Sequence, residues 1–292
     1  MKTTLWKQVG LSIILLPVCN RMYAKSPQQP HESLLSHLYV TNAVLHDSLI
    51  AKTTAAKNLI IPTVQLQSSV RGFVDQYLDE HAEMLENIKE RNSSTFKTIQ
   101  KILVKRGIPA ELIYLAVVES KLKNSATSGV GAAGVWQLMP VTARHLGLRV
   151  EGKTDERRYL YKSSAAAADY LVELYKQFDD WLLVVAAYNC GSGNVYKAIK
   201  QSGSREFWKL QRYLPSETRN HVKRFIATHF YYEGEGSLAT LTKTERNIYL
   251  ASLIEAEEET NETDSTPAKT NQRFNWVSIT QHEGEMNFLL RK

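Results

Sequence analysis

Residues 119–140, ESKLKNSATSGVGAAGVWQLMP, contain the side chains that acid–base chemistry on a polymer needs. Glu119 closes an apolar helical run. Leu112, Leu115 and Ala116 lie seven, four and three residues before it and share its helix face. A carboxyl group at the end of an apolar stripe loses hydration, which favours its neutral form. A neutral carboxylic acid at pH 7 can protonate a glycosidic oxygen, whereas the structural alternative is a helix-terminal Glu that points to water.

A glycine-rich turn follows this carboxylate within one loop length. Gly129, Gly131 and Gly134 allow backbone conformations that other residues resist, or a close approach by a ligand. Gln137, three residues later, can both donate and accept hydrogen bonds, as sugar hydroxyl and acetamide groups require. The loop alone is weak evidence, because glycines also occur in plain connectors.

A second polar cluster lies at a helix end beside another glycine-rich turn. Tyr188 and Asn189 supply a phenol and an amide there, although an ordinary helix C-terminus has the same composition. Trp136 and Met139 have a similar ambiguity, since both residue types usually belong to the core. The sequence therefore predicts a sugar-binding cleft only if these segments come together in the fold.

Four segments occur in a fixed order along the chain: Glu119-Ser120, then GVWQLMP (134–140), AYNCG (187–191) and LPSETRNHV (214–222). Together they resemble the soluble-lytic-transglycosylase (SLT, lysozyme-like) domain, in its membrane-bound lytic transglycosylase D-like branch. The DERR segment (155–158) also fits that branch. The resemblance covers residues 60 to 232, and its strength lies in the combination, because any one of these motifs alone is common.

The resemblance implies a mainly α, lysozyme-like fold that cleaves the β-1,4 bond between N-acetylmuramic acid and N-acetylglucosamine in peptidoglycan glycan strands. The product would be a 1,6-anhydromuramic end, with no water consumed and with no metal or cofactor. Carried over by position, Glu119 is the single acid and base. The side chains expected to line the sugar cleft are Ser120, Gln137, Met139, Tyr188, Asn189 and His221.

The chain departs from the family pattern at two of these places. His221 stands where the family usually has Tyr, and Cys190 stands where a small residue is usual. A neutral His221 could hydrogen-bond the protonated carboxyl group. A charged His221 would favour the Glu119 carboxylate, and activity would then fall on mild acidification.

A count of carboxylates bears on the mechanism, because ordinary glycosidases need two of them. Asp155, Glu156 and Glu217 are candidates for a second, but none follows an apolar run like that before Glu119, and salt bridging explains DERR better. With one carboxylate, the 2-acetamido group of muramic acid would supply the nucleophile. Two alternatives remain: a lysozyme-type hydrolase that uses water, and a non-catalytic wall-binding protein of the same fold.

Helical periodicity and capping signals predict the elements that must position these residues. Helices are expected from near Val70, after Ser94, after Pro109, between Pro140 and Gly147, and over residues 163–178, 181–188, 195 onward and 216–232. No segment before residue 233 alternates as a strand does, so the body is predicted to be mainly α.

The domain boundaries follow from composition. We expect a signal peptide at 1–24, a leader or linker at 25–57, the catalytic domain with a helical lead-in at 58–233, and a polar linker with a short C-terminal tail at 234–292. The tail contains a candidate hairpin around Glu283-Gly284. All four motifs precede residue 233, so cleavage should survive removal of everything after Gly234.

The net charge and the two cysteines limit the partners and the compartment that the sequence predicts. The formal charge is +6, from 36 basic and 30 acidic residues, and three of the basic residues precede residue 25. The remaining excess of three is too small to indicate nucleic acid. Cys19 lies in the outline of a bacterial lipidation site, so the exported protein is expected in the periplasm, either free or anchored to the outer membrane. Cys190 would then be left without a disulfide partner.

Overall fold

The computed structural model describes residues 63–263 and their side chains up to residue 254. The predicted signal peptide, leader and C-terminal hairpin lie outside this range. Within it, no helix combines the length and the apolar character that crossing a membrane requires.

Residues 63–263 form ten α-helices, joined by short turns and by 3-10 segments. The helices are α1 (Ser68–Arg91), α2 (Ser93–Val104), α3 (Ile113–Ser120), α4 (Pro140–His145), α5 (Leu160–Phe178), α6 (Trp181–Cys190), α7 (Ser192–Ser202), α8 (Phe207–Leu210), α9 (Ser216–Glu233) and α10 (Lys243–Thr263). The predicted mainly α body is confirmed. The antiparallel pair β1 (Val150–Glu151) and β2 (Thr154–Asp155) was not predicted, because its two-residue strands are too short to show alternation.

The core is built around α6, whose sequence WLLVVAAYNC is apolar on every side for its first seven residues. All of Trp181–Ala187 are buried. Such a helix has no face to offer to solvent and must be surrounded by other elements. α5, α7 and α9 pack against it, and α9 also contacts α1 and α3. The packing therefore brings α3, α6 and α9 together, and these helices carry Glu119, Tyr188 and His221.

The turn after α3 has an uncommon backbone. Lys121 and Leu122 both adopt left-handed conformations, with φ angles of 55° and 59°. Non-glycine residues seldom take this conformation, and two in succession reverse the chain sharply after Glu119-Ser120. Leu122 is buried, and its burial helps to offset the unfavourable backbone.

The first part of the predicted polar linker, after Gly234, is helical in the structure. A 3-10 helix at Leu238–Thr240 and the long helix α10 follow instead. Leu238, Ala239 and Leu253 are buried. Leu253 lies far from Leu238 and Ala239 in a charged stretch. The local composition therefore did not indicate that these residues are buried.

Polar contacts fix the start of α10 as well. The Lys243 backbone N–H donates to Asp180 Oδ2 at 2.7 Å, and the other oxygen, Oδ1, accepts from the Leu183 N–H at 3.1 Å. Arg246, which is buried, donates to Asp179 Oδ1 at 3.2 Å. One carboxylate, Asp180, therefore caps α6 and also holds the segment that enters α10.

We therefore expect that ending the chain at Gly234 destabilises the protein, a cost that the expectation of surviving cleavage did not include. Burial of a leucine side chain contributes about 1.5–3 kcal/mol, so loss of Leu238 and Leu253 should lower the free energy of unfolding by about 3 kcal/mol or more. A chain ending at residue 263 is the control and should melt like the full chain. Equal denaturant midpoints for the two truncations would contradict this account.

Candidate active site

Glu119 and His221 form a hydrogen-bonded pair between α3 and α9. Glu119 Oε1 lies 2.9 Å from His221 Nε2, and the two side chains are 16% and 4% exposed, respectively. Leu112, Leu115 and Ala116, on the same helix face as Glu119, are fully buried. The carboxyl group is thus largely removed from water but not sealed, as a general acid must be if it is to reach a substrate.

The second ring nitrogen of His221 decides which tautomer fits. Among the residues that the structure describes, no hydrogen-bond partner reaches His221 Nδ1, which is buried. A buried N–H without an acceptor is costly, and an imidazolium would bury one here. The surroundings therefore favour a neutral ring that carries its proton on Nε2 and donates it to Glu119 Oε1. Oε2 then remains as the carboxyl atom that can carry the acidic proton.

Tyr188, near the end of α6, is close enough to Glu119 to feel its charge and contacts the glycine-rich loop of residues 129–138, called the glycine loop below. Its hydroxyl donates to the carbonyl of Trp136 at 2.7 Å. Burial, with a further contribution from the negative charge of Glu119, raises the pKa of Tyr188 well above its ordinary value, so the phenol stays neutral. Trp136 itself is fully buried and donates its indole N–H to Ser164 Oγ at 2.9 Å, which makes it a core residue.

Asn189 is fixed by the first turn of α9. The Thr218 hydroxyl donates to Asn189 Oδ1 at 2.7 Å, which directs the amide and leaves its NH2 group as a donor. Thr218 belongs to the LPSETRNHV segment but was not among the predicted site residues, since its type alone gives no functional signal. Burial raises the pKa of the adjacent Cys190 thiol, which therefore remains neutral.

The other three predicted site residues surround the same loop. Ser120 is buried and donates to the Val135 carbonyl at 2.7 Å, so its hydroxyl proton is engaged within the protein. Gln137 adopts a left-handed φ of 47°, and its side-chain NH2 donates to the Gly134 carbonyl at 2.8 Å. Met139 is half-buried immediately before α4.

Arg157 stabilises the glycine loop by hydrogen bonds to its backbone carbonyls. Its Nη1 donates to the carbonyls of Gly131 and Leu138, at 2.7 and 2.9 Å. Its Nε and Nη2 donate to the two Asp155 oxygens, at 2.8 and 2.9 Å. The sequence indicated the ion pair within DERR but not that its arginine would satisfy carbonyls 19 and 26 residues away.

The two acids of DERR are engaged in ion pairs. The hydrogen bond from Arg157 lowers the pKa of Asp155. Lys162, at 2.6 Å, and the Arg149 backbone N–H, at 2.9 Å, lower the pKa of Glu156 to about 2. Carboxylates held ionised in this way are poor proton donors, which leaves Glu217 as the remaining alternative acid. It lies one helical turn before His221 on α9 and is half-buried.

Gly134 provides the test of this loop, because a Cβ atom there would lie 1.9 Å from the Arg157 carbonyl oxygen, at a φ of +80°. We expect Gly134→Ala to destabilise the protein by about 3 kcal/mol or more, from left-handed strain and overpacking together. Gly129→Ala is the matched control, because a Cβ at Gly129 meets nothing within 4 Å. Thermal melts of both variants that are indistinguishable from the wild type would refute the close approach.

Comparison with known proteins agrees with the resemblance seen in the sequence. The family model described as "Transglycosylase SLT domain" matches residues 97–211. Membrane-bound lytic murein transglycosylase D of Escherichia coli (strain K12) is 46% identical over 128 residues, which are 42% of this chain and 28% of that protein. Soluble lytic murein transglycosylase of the same strain is 27% identical over 176 residues, 58% of this chain and 26% of that protein.

A structural comparison gives a partial match. The 70 kDa soluble lytic transglycosylase from Escherichia coli aligns with a TM-score of 0.46 and 18% identity, over 72% of this chain and 46% of that one. The matched part of this chain spans 28% and 26% of the length of the two curated transglycosylases reported above. Glu119, the glycine loop, Tyr188 and Asn189 lie inside the matched range, and His221 lies beyond it. Residues 97–211 of this chain are therefore similar to transglycosylase SLT domains.

Proposed function

We propose that this protein is a peptidoglycan lytic transglycosylase that cleaves the β-1,4 bond from N-acetylmuramic acid to N-acetylglucosamine and leaves 1,6-anhydromuramic ends. The observation that carries the proposal is the Glu119 carboxyl group, which is 16% exposed, is hydrogen-bonded to His221 at 2.9 Å and lies in the range that the SLT family model matches. The curated relatives named as lytic murein transglycosylases support the same reaction class.

The proposed reaction uses one carboxyl group twice. Protonated Glu119 gives its proton to the glycosidic oxygen as the C1–O bond breaks, while the 2-acetamido carbonyl oxygen bonds to C1 and takes the place of a second carboxylate. The Glu119 carboxylate then removes the proton from the 6-hydroxyl, whose oxygen displaces the acetamido oxygen from C1. Glu119 is protonated again at the end, the anhydro ring is closed, and no water enters.

His221 positions Glu119 in this scheme. A neutral imidazole that donates from Nε2 to Oε1 fixes the carboxyl plane and leaves Oε2 to carry the transferable proton. The same hydrogen bond stabilises the carboxylate that forms after the first step. An imidazole with this role does the work that the phenol of the family's usual Tyr would do, so the substitution is compatible with catalysis.

The remaining predicted site residues take two kinds of role in this proposal. Tyr188 and Ser120 hold the glycine loop at the Trp136 and Val135 carbonyls. Asn189, Gln137 and Met139 retain side-chain atoms or surface that can contact the sugar. The NH2 group of Asn189, whose orientation is set by Thr218, suits an acetamide carbonyl.

Such a substrate implies an exported enzyme. Relatives named membrane-bound and soluble murein transglycosylases fit this location. The finer part of the proposal is a periplasmic protein, with a lipid on Cys19 as the route to the outer membrane.

Glu119→Gln tests the acid assignment, because it keeps the shape of the side chain and removes the transferable proton. We expect activity on sacculi to fall about 10⁴-fold, near the upper end for general acid–base catalysis, since one group does both transfers. Glu217→Gln is the matched control and should keep most of the activity. Loss in the Glu217 variant with retention in the Glu119 variant would reverse the assignment.

The products of the wild-type digest separate the three hypotheses for function. Mass spectrometry of released muropeptides should show anhydro ends for a transglycosylase. Reducing ends would indicate a hydrolase that uses water, and intact sacculi would indicate a wall-binding protein.

Two variants of His221 test its positioning role. His221→Gln keeps a neutral donor at the position of Nε2, whereas His221→Phe keeps a ring without a donor. We expect the Gln variant to retain most of kcat with an unchanged pH profile from about pH 5 to 8. The Phe variant should lose about 10- to 100-fold, in line with about 1.5–3 kcal/mol for a hydrogen bond to a charged group. If the activity of the wild type falls toward pH 5 and that of the Gln variant does not, His221 acts instead as a charged group.

A further inference from the structure

The first two turns of α9 carry two buried side chains that hold polar groups of the candidate site. Thr218 and His221 are three residues apart, so their side chains leave the same face of the helix, about 5–6 Å from each other. His221 Nε2 lies 2.9 Å from Glu119 Oε1, and the Thr218 hydroxyl donates to Asn189 Oδ1 at 2.7 Å. One face of α9 therefore holds the Asn189 amide beside the Glu119 carboxyl group, about one helical turn away.

The hydrogen bond to Thr218 decides which end of the Asn189 amide faces outward. An Asn side chain has an acceptor oxygen and a donor NH2 group, and a hydroxyl group can pair with either. The other partner of the Thr218 hydroxyl is the sulfur of Cys190, which is a weak acceptor. With the amide reversed, the buried hydroxyl would have to give its proton to that sulfur. In the observed orientation it gives the proton to Oδ1, a strong acceptor, and the NH2 group is the end that remains.

Asn189 keeps this NH2 group available. Within the part of the chain that the structure describes, no residue accepts a hydrogen bond from Asn189 Nδ2, and the residue is half-buried at the end of α6. The preceding residue, Tyr188, is close enough to Glu119 to feel its charge. A fixed donor next to the proposed acid can bind an acceptor oxygen of the substrate, and it offers nothing to a substrate N–H.

The proposed reaction narrows the choice of that oxygen. The 2-acetamido oxygen of the reacting muramic acid has to bond to C1, and a hydrogen bond from Asn189 would draw electron density away from it. The acetamide of an adjacent N-acetylglucosamine unit does not react, so its carbonyl oxygen is free to accept. A contact to a group that does not react is made equally in the ground state and the transition state, and it therefore acts on KM.

We propose that Thr218 is a positioning residue that turns the donor end of Asn189 toward the cleft and so makes the site select an N-acetylated sugar beside the bond to be cleaved. The inference rests on the proposed function for the identity of the polymer. Thr218 itself does not touch the sugar. It acts through Asn189, as His221 acts through Glu119 one turn further along the same helix face.

Oligosaccharide binding to the full chain tests this role without any cleavage. The parent protein carries Glu119→Gln, and the probes are chitotetraose, with an acetamide on every unit, and cellotetraose, with a hydroxyl in its place, titrated by calorimetry. Thr218→Val keeps the shape of the side chain without the hydroxyl. It should weaken chitotetraose binding about 5-fold, as the loss of one hydrogen bond predicts, and leave cellotetraose binding unchanged. Thr218→Ser restores the hydroxyl and should bind like the parent.

Thr228→Val is the matched control, because Thr228 is buried in the same helix and no hydrogen-bond partner reaches its hydroxyl from the described residues. It should bind chitotetraose like the parent. Equal chitotetraose affinities in the Thr218→Val and Thr228→Val proteins overturn the proposal. So does an equal loss for both sugars in Thr218→Val, which would show a general loosening of the site, and so does a parent that binds the two sugars alike.

Kinetics on glycan strands separate this proposal from the proposed function. In the otherwise wild-type chain, Thr218→Val should raise KM about 5-fold and keep kcat within about 2-fold, since the Glu119–His221 pair is untouched. A fall in kcat at constant KM would overturn the proposal and indicate that Thr218 acts on the acid. Intact strands in the wild-type digest would count against the proposed function alone, and a preference for chitotetraose that depends on Thr218 would still support the role of Thr218.

Discussion

A carboxyl group that must hold a proton near neutral pH has to give up most of its water, yet it must remain open to a polymer. The role that we propose for Glu119 imposes this constraint on the body of the protein. α3 places Glu119 at the end of a buried apolar stripe, and α9 supplies His221 as its hydrogen-bond partner at 2.9 Å. Both helices are held by packing that extends through the apolar α6. The proposed chemistry thus depends on the meeting of three helices that are distant in sequence.

The glycine loop shows how the same body supports an irregular segment. A loop that packs against a core leaves backbone carbonyls that need donors. Three side chains from three elements supply them: Arg157 to Gly131 and Leu138, Ser120 to Val135, and Tyr188 to Trp136. Ser120 follows Glu119 directly in the sequence, and Tyr188 is close enough to feel the charge of Glu119. The glycine-rich loop is therefore held by side chains that neighbour the proposed acid.

The sequence predicted the helices well, because apolar periodicity and capping residues are local signals, whereas its choice of Glu119 as the acid stays a prediction. It could not predict contacts that depend on distant backbone. Arg157 was recognisable as half of an ion pair with Asp155, but not as a donor to the loop. α10 was mistaken for linker because its buried contacts, Leu238 before it and Leu253 within it, lie far apart in a charged stretch. Whether His221 faced the acid was also open, since a single histidine on a helix has no periodic partner to orient it.

Asp180 connects the C-terminal helix to the active site in a way that concerns cooperativity. Its two oxygens accept from Leu183 N–H at the start of α6 and from Lys243 N–H at the start of α10. The opposite end of α6 carries Tyr188 and Asn189. A fluctuation that detaches α10 removes one of the two donors that orient the Asp180 side chain, and so weakens the cap of α6. We therefore expect partial unfolding from the C-terminal side to extend along α6 toward the proposed sugar-binding residues.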